Sequence, residues 1–206
     1  MNVFFEDIDQ KKIKYIGFDM DGTLYDEYDF IIQVYTEISE LFQNSIEVLR
    51  YMSIKWLNKG SSYNRIFEET YDQFKLKKNT SKKKFVEEVL NIYREFQPKL
   101  NLSNRAKFIL EILKKNFNLF LITDGNPILQ KKKFASLDLQ NYFDNDKIVF
   151  TGDYPASYHK PNIKSIDLIK IECERAIFFG DRDIDKKFAS SAKMNFKYLN
   201  NMLITK

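Results

Sequence analysis

A single cysteine, Cys173, rules out any intrachain disulfide framework. It lies in a segment beginning Ile166-Asp167-Leu168-Ile169 that reads as helical, so a small buried or half-buried side chain is expected there rather than a nucleophile. No apolar run approaches the ~20 residues of a membrane span. The start of the chain, Met-Asn-Val-Phe-Phe-Glu-Asp-Ile-Asp, carries acidic residues where a signal peptide needs basic ones and an apolar stretch. A soluble cytoplasmic protein with no membrane partner is the expectation. Charge of one sign is not concentrated either. Lys and Arg number 33 against 29 Asp and Glu, and the basic residues are spread along the chain. The short clusters Lys82–Lys84 and Lys131–Lys133 could form a nucleic-acid patch, but solvated helix faces explain them better, so no nucleic-acid partner is expected. Glycine and alanine are scarce while Lys, Asn, Ile, Phe and Tyr are abundant, a drift that says little about chemistry.

Apolar residues are plentiful, at 44% of the chain, and their spacing divides it. Five short runs end at Gly, Asp, Thr or a polar turn and read as buried strands: Lys14–Asp19, Asn118–Thr123, Lys147–Thr151, Arg175–Gly180 and Asn195–Leu199. Helical spacing separates the later ones. Asn104–Lys115 puts Phe108, Ile109, Ile112 and Leu113 on one face; Pro127–Leu137 and Pro161–Glu172 follow, the last with Ile163, Ile166 and Ile169 a turn apart. Strands alternating with helices predict an α/β fold with a parallel sheet covered on both sides. The exception lies between about Asp26 and Pro98. Gly60 is its only glycine, and Phe30, Val34, Ile38, Leu41, Phe42, Ile46 and Leu49 form a continuous helical stripe. Ile66, Phe67, Tyr71 and Phe74 form a second; Phe85, Val89, Leu90 and Tyr93 form a third. Three or four helices inserted after the first strand are expected, with Trp56 in their core. The resulting division is a core of residues 1–24 and 99–206 and a helical cap of residues 25–98.

Sites in open parallel sheets form at the carboxyl ends of strands. The first strand runs into Asp19-Met20-Asp21-Gly22-Thr23-Leu24 and the second into Thr123-Asp124-Gly125. The third leads to His159-Lys160-Pro161 and the fourth to Gly180-Asp181-Arg182-Asp183-Ile184-Asp185. Each run alone also fits a turn or a helix cap. Together, and in this order, they place Asp19, Asp21 and Asp181 at one edge, where three carboxylates call for a hard divalent cation such as Mg²⁺. Such an ion would screen a phosphate from the carboxylates and let Asp19 attack phosphorus, giving an acyl phosphate that water cleaves. Asp21 is placed to protonate the leaving alcohol and then to deprotonate the water. The Thr123 hydroxyl and the N–H groups of Gly22, Asp124 and Gly125 would hold the phosphoryl oxygens, with Lys160 offsetting their charge. Pro161 would start the next helix and fix where Lys160 points.

These four runs resemble the motifs of the haloacid dehalogenase superfamily. The first motif is matched in full at Asp19–Leu24. The second motif's Ser/Thr is Thr123, the third motif's Lys is Lys160, and the fourth motif's acidic pair is Asp181 and Asp185. The segment Gln130–Phe143 looks like the Gln-x-x-Lys-x-x-x-Leu-x-Leu-x-x-Tyr-Phe stretch of phosphatase-like members. The resemblance implies a Rossmann-like core with a helical cap that closes over the site. It implies Mg²⁺ held by the Asp19 carboxylate, the Asp21 backbone carbonyl and the Asp181 carboxylate, with Asp185 ligating through water or anchoring Lys160. Asp21 disfavours the dehalogenating and phosphonate-cleaving branches, whose patterns lack it. Lys193 stands where the family usually has glycine at a helix end, and His159 has no counterpart and reads as a surface loop residue. The implied activity is hydrolysis of a small-molecule phosphate ester by a monomer or weak homodimer. A phosphomutase, or a binding protein that has lost turnover, is the alternative. Tyr25, Tyr28, Tyr51 and Arg65 are cap candidates for specificity with no motif behind them.

Overall fold

A computed structural model of the protein describes residues 11–199, so the acidic start of the chain lies outside the described residues. Two compact units emerge. One runs to Glu27 and resumes at Leu100; the other is Tyr28–Lys99. The cut after Glu27 leaves Tyr25 with the first unit.

The first unit is built on five strands: β1 (Tyr15–Phe18), β2 (Asn118–Thr123), β3 (Ile148–Phe150), β4 (Ala176–Gly180) and β5 (Asn195–Tyr198). Each falls within the run its apolar residues mark in the sequence. All pair in parallel, in the order β3-β2-β1-β4-β5. Every residue of β1 and β4 is buried, because helices cover both faces of the sheet. This is why those strands read as unbroken apolar runs rather than alternating ones. On one face Phe120 and Phe178 meet with ring centroids 6.0 Å apart, and Phe188 packs edge-on against Phe178 at 5.2 Å. On the other, Phe18 stacks on Phe179 at 5.4 Å and meets Phe143 edge-on at 6.2 Å. Each such ring stabilises the core by about 1.5–3 kcal/mol relative to exposure.

Helix ends follow their capping residues. In α5 (Asn104–Asn116) the Ser103 hydroxyl accepts from the Ala106 N–H at 3.1 Å. In α6 (Pro127–Ser136) the Asn126 side chain accepts from the Leu129 N–H at 3.2 Å, and Pro127 occupies the first turn. Past α8 (Asp183–Ser191), Lys193 adopts a left-handed φ of 59°. A non-glycine residue there costs about 1–2 kcal/mol.

Two helical readings need correction. Pro161–Glu172 is not one helix: only Ile166–Ile169 forms α7, and Lys170 closes it with φ 49°. Ile166 and Ile169 are buried while Ile163 is 44% exposed, so the core needs a single turn from this segment. Pro161 sits in a turn behind a cis peptide bond and begins no helix, and Cys173 lies half-buried in a 3₁₀ turn. In α5, Ala106 and Leu110 join Ile109 and Leu113 on the buried face, and Phe108 is 46% exposed.

The second unit consists of α1 (Glu27–Ser39, which starts at its boundary), α2 (Ser45–Lys59), α3 (Ile66–Gln73) and α4 (Lys82–Glu95). Aromatic edges hold it: Phe30 on Tyr93 at 5.2 Å, Phe42 on Phe85 at 5.3 Å and Tyr35 on Phe67 at 6.0 Å. The long stripe anticipated through Leu49 breaks after Phe42, where the chain turns. α2 then buries Val48 and Met52, leaving Ile46 83% exposed. Trp56 is half-buried, with its ring 5.7 Å from Tyr28. Among the described residues, no helix is long and apolar enough to cross a membrane.

Candidate active site

β1 lies between β2 and β4, so the chain crosses over to opposite sides of it and the sheet order reverses there. A crevice at the carboxyl ends of β1 and β4 is the expected place for a site. Asp19 follows β1, and its N–H donates to Phe179 O at 2.9 Å, which anchors it to the end of β4. Its side chain is buried. Oδ1 accepts from Lys160 Nζ at 2.6 Å, whereas Oδ2 is buried with no hydrogen-bond partner. Lys160 Nζ also donates to Asp185 Oδ1 at 2.5 Å, and its side chain has no exposed surface. The Lys160 N–H donates to Asp124 Oδ1 at 3.3 Å, and that same oxygen accepts from the Thr151 hydroxyl at 2.6 Å. Asp124 therefore ties the Lys160 loop to the end of β2, and its carboxylate is turned to that task.

Electrostatics follow from burial. Desolvation pushes the Asp19 carboxyl up to about 7; Lys160 opposes this and Asp185 adds to it. Burial favours the neutral amine of Lys160, but Asp19, Asp185 and Asp124 outweigh it and hold the group above its usual range. Asp181, half-buried, is raised first by burial and also by Asp185. Ligand atoms of Asp19, Asp181 and Asp185 lie within 4.8 Å of one another. An all-oxygen carboxylate set with two members pushed toward their neutral forms suits a hard divalent cation. Asp19 Oδ2, buried and unpaired, is the oxygen such an ion would satisfy. Both oxygens of Asp185 are engaged, Oδ1 by Lys160 and Oδ2 by the Arg182 N–H at 3.1 Å, so its position suits anchoring better than direct ligation. Gly22 has φ 71°, and a Cβ there would sit 2.5 Å from Asp181 Oδ2. Only glycine admits Asp181 so close to the turn after β1.

Asp21 lies on the other side of this turn. Its Oδ1 accepts from Lys133 Nζ at 2.8 Å and from the Tyr25 hydroxyl, and its Oδ2 accepts from Gln130 Nε2 at 2.7 Å. Burial alone would raise its pKa, but Lys133, Tyr25 and Gln130 together hold it below the usual range. The Gln130 amide nitrogen is also 2.8 Å from Thr123 Oγ1 and 2.9 Å from the Asp124 carbonyl. It therefore joins the ends of β1 and β2. Gly125 follows in the turn that leads to α6, with φ 125°. Asp19, Asp181, Asp185 and Lys160 thus form one connected group, and Asp21, Thr123 and Gln130 form another beside it.

Several neighbours were not anticipated as site residues. Lys133 belongs to the cluster read as a solvated helix face, yet its side chain is 3% exposed. The Gln-x-x-Lys spacing that places Gln130 and Lys133 on one helix face was visible, but the lysine run masked it. Glu27 is half-buried near Asp21, Lys133, Arg182 and Asp181; burial, with Asp21 adding to it, pushes its carboxyl up to about 8. Arg182 Nε is buried without a hydrogen-bond partner, 3.9 Å from Asp181 Oδ1. No pattern in the sequence singles out either residue. Of the cap candidates, Tyr25 lies at Asp21. Tyr51 packs on Phe74 at 5.3 Å, Tyr28 on Trp56, and Arg65 is exposed beside Glu68. His159 is half-buried in the loop before Lys160.

Fold and site define an α/β protein with a carboxylate-rich centre at the edge of a parallel sheet. The family model for haloacid dehalogenase-like hydrolases matches residues 16–198, and the chain belongs to that family. Glyceraldehyde 3-phosphate phosphatase from Pyrococcus furiosus is 32% identical over 76 residues, which span 37% of this chain and only about a third (32%) of that protein. Among solved structures, a superfamily hydrolase of subfamily IA from Geobacter sulfurreducens is similar with a TM-score of 0.63 at 20% identity. The match covers 90% of this chain and 86% of that one. A magnesium-bound hydrolase of the same superfamily from Bacillus subtilis gives a TM-score of 0.62 at 16% identity, covering 90% and 87%.

Proposed function

We propose that this protein is a Mg²⁺-dependent hydrolase of small-molecule phosphomonoesters that works through a phosphoaspartate at Asp19. The observation that carries this reading is the asymmetry of that carboxylate. One oxygen is fixed by Lys160 and the other is buried and unpaired, on a carboxylate that has a ligand atom within 4.8 Å of one from Asp181. The Asp19 and Asp181 carboxylates, with the Asp21 backbone carbonyl, would hold the ion, which neutralises carboxylate and phosphate charge when bound.

In the first half-reaction an Asp19 oxygen bonds to phosphorus and the bond to the ester oxygen breaks. Asp21, carrying the proton taken from water in the previous turnover, gives it to the departing alkoxide to form a free alcohol. Water then attacks the phosphorus of the acyl phosphate, Asp21 takes its proton, and the Asp19–phosphorus bond breaks to return the carboxylate and inorganic phosphate. Lys160 stabilises the charge gathered on the phosphoryl oxygens, and Thr123 with the backbone N–H groups of Gly22, Asp124 and Gly125 orients them. The phosphatase similarity in part of the chain and the magnesium in a structural relative support the reading.

Steady-state hydrolysis of para-nitrophenyl phosphate and a panel of metabolite phosphates, with Mg²⁺ and with chelator, tests it. Release should require Mg²⁺ and fall to background in Asp19→Asn. No release from any compound by folded, Mg²⁺-loaded protein would refute the general phosphatase reading.

A further inference from the structure

Lys133 is a buried cation with no place in the chemistry above. It follows Lys131 and Lys132 in sequence, but the three are used differently. Lys131 is exposed and pairs with Asp153, Lys132 is half-buried, and Lys133 points inward with its side chain 3% exposed. Gln130, one turn earlier and also buried, shares its face of α6. The Asn126 cap and Pro127 fix the start of that helix at the end of β2, so both side chains are aimed at the turn after β1. There they meet Asp21 from two sides, Lys133 on Oδ1 and Gln130 on Oδ2. Tyr25, four residues beyond Asp21, closes on Oδ1 as well. A buried lysine gains little stability from an ion pair compared with an apolar side chain of similar size. Stability alone is therefore a poor reason for this one to be charged.

We infer that Lys133 is a positioning residue: with Gln130 it locks the Asp21 carboxylate in the one orientation from which it can serve both half-reactions. This rests on the phosphoaspartate reading for its consequence, though not for its geometry. Asp21 has two freely rotating bonds, and it must face the ester oxygen first and the attacking water later. Held at both oxygens by groups on a rigid helix, it needs no reorientation between the steps. Lys133 acts through the Asp21 carboxylate it holds, so its loss should act on turnover rather than on binding.

Lys133→Met tests this in two ways. A crystal structure of the variant should show the Asp21 side chain rotated away from its wild-type position while Asp19, Lys160 and Asp181 stay in place. In kinetics, kcat should fall about 10²-fold, within the range for a general acid–base group, with KM changed less than about threefold. The loss should be larger for an alkyl phosphate, whose alcohol must be protonated, than for para-nitrophenyl phosphate, whose phenolate leaves unaided. A purely structural role would lower both substrates equally. Lys133→Leu, which also removes the donor, replaces the Met variant if that chain does not fold, and Lys133→Gln, which keeps one, should recover part of kcat. An unmoved Asp21, or equal losses on the two substrates, would overturn the inference. If wild type hydrolyses nothing, the phosphatase reading fails, and the position of Asp21 in the variant still decides the positioning claim.

Discussion

Lys160→Met is the most informative single change, because the structure sets its cost. The lysine side chain is fully buried and its ammonium lies 2.6 Å from Asp19 and 2.5 Å from Asp185. Methionine fills much the same volume, so little of the effect comes from packing. What is lost is the compensation of two buried carboxylates. Removing one partner of a buried ion pair costs about 3–5 kcal/mol. In a chain of this size each kcal/mol moves the midpoint by roughly 2–4 °C, so Tm should fall by roughly 6–20 °C. Thermal and urea melts followed by circular dichroism in chelator would measure this. Adding Asp185→Asn removes one of the stranded charges. The double variant should be less destabilised than the sum of the two single losses, by about 0.5–3 kcal/mol. Restoring Mg²⁺ should raise the Tm of Lys160→Met more than that of wild type, because the site then carries one positive charge fewer. A Lys160→Met protein within about 1 kcal/mol of wild type in chelator would refute the reasoning, since the carboxylates would then be compensated some other way.

Gly22→Ala should destabilise the protein by about 1–2 kcal/mol through its left-handed φ of 71° and should also lower phosphate release by displacing Asp181; melts and the hydrolysis assay read the two effects separately. In the helical unit, Glu69 accepts from Lys55 at 2.8 Å and from the Tyr63 hydroxyl, and the Lys55 hydrogen bond leads in holding its pKa below the usual value. A lowered folded pKa gives stability that is present above the unfolded pKa of about 4.3 and lost as pH falls through the folded one. The Tm difference between wild type and Glu69→Gln should therefore shrink as pH is lowered from 6 to below 4, and a difference independent of pH would refute this.

Strand positions were legible because burial on both faces leaves no ambiguity. Phe-Phe-Gly of β4 and Leu-Phe-Leu-Ile-Thr of β2 suit a doubly covered strand and end where polar residues begin. Helix faces were less legible, since apolar spacing records opportunity rather than use. Ile163 sits a turn from Ile166 and still points outward, and Ile46 continues the period of α1 across a turn that ends the helix. The carboxylates, Thr123 and Lys160 could be read from motif order alone. Lys133 was marked by the Gln-x-x-Lys spacing, but nothing local ties that spacing to Asp21. Its environment is set by Asp21, far away in sequence. Glu27 and Arg182 escaped for the same reason.

The position of β1 at the middle of the sheet also has a kinetic consequence. Tyr15 pairs with Asn118 on one side and with Ala176 on the other, so the strand bearing Asp19 leaves the ribosome early and gains its neighbours late. The helices of residues 28–99 close shorter loops than the sheet does and are free to form in the interval, while the parallel sheet must close longer ones before any pairing rewards it. A folding experiment on nascent chains of increasing length should see the helical unit gain protection first. Asp19, the first site residue to be synthesised, would be the last to find its surroundings.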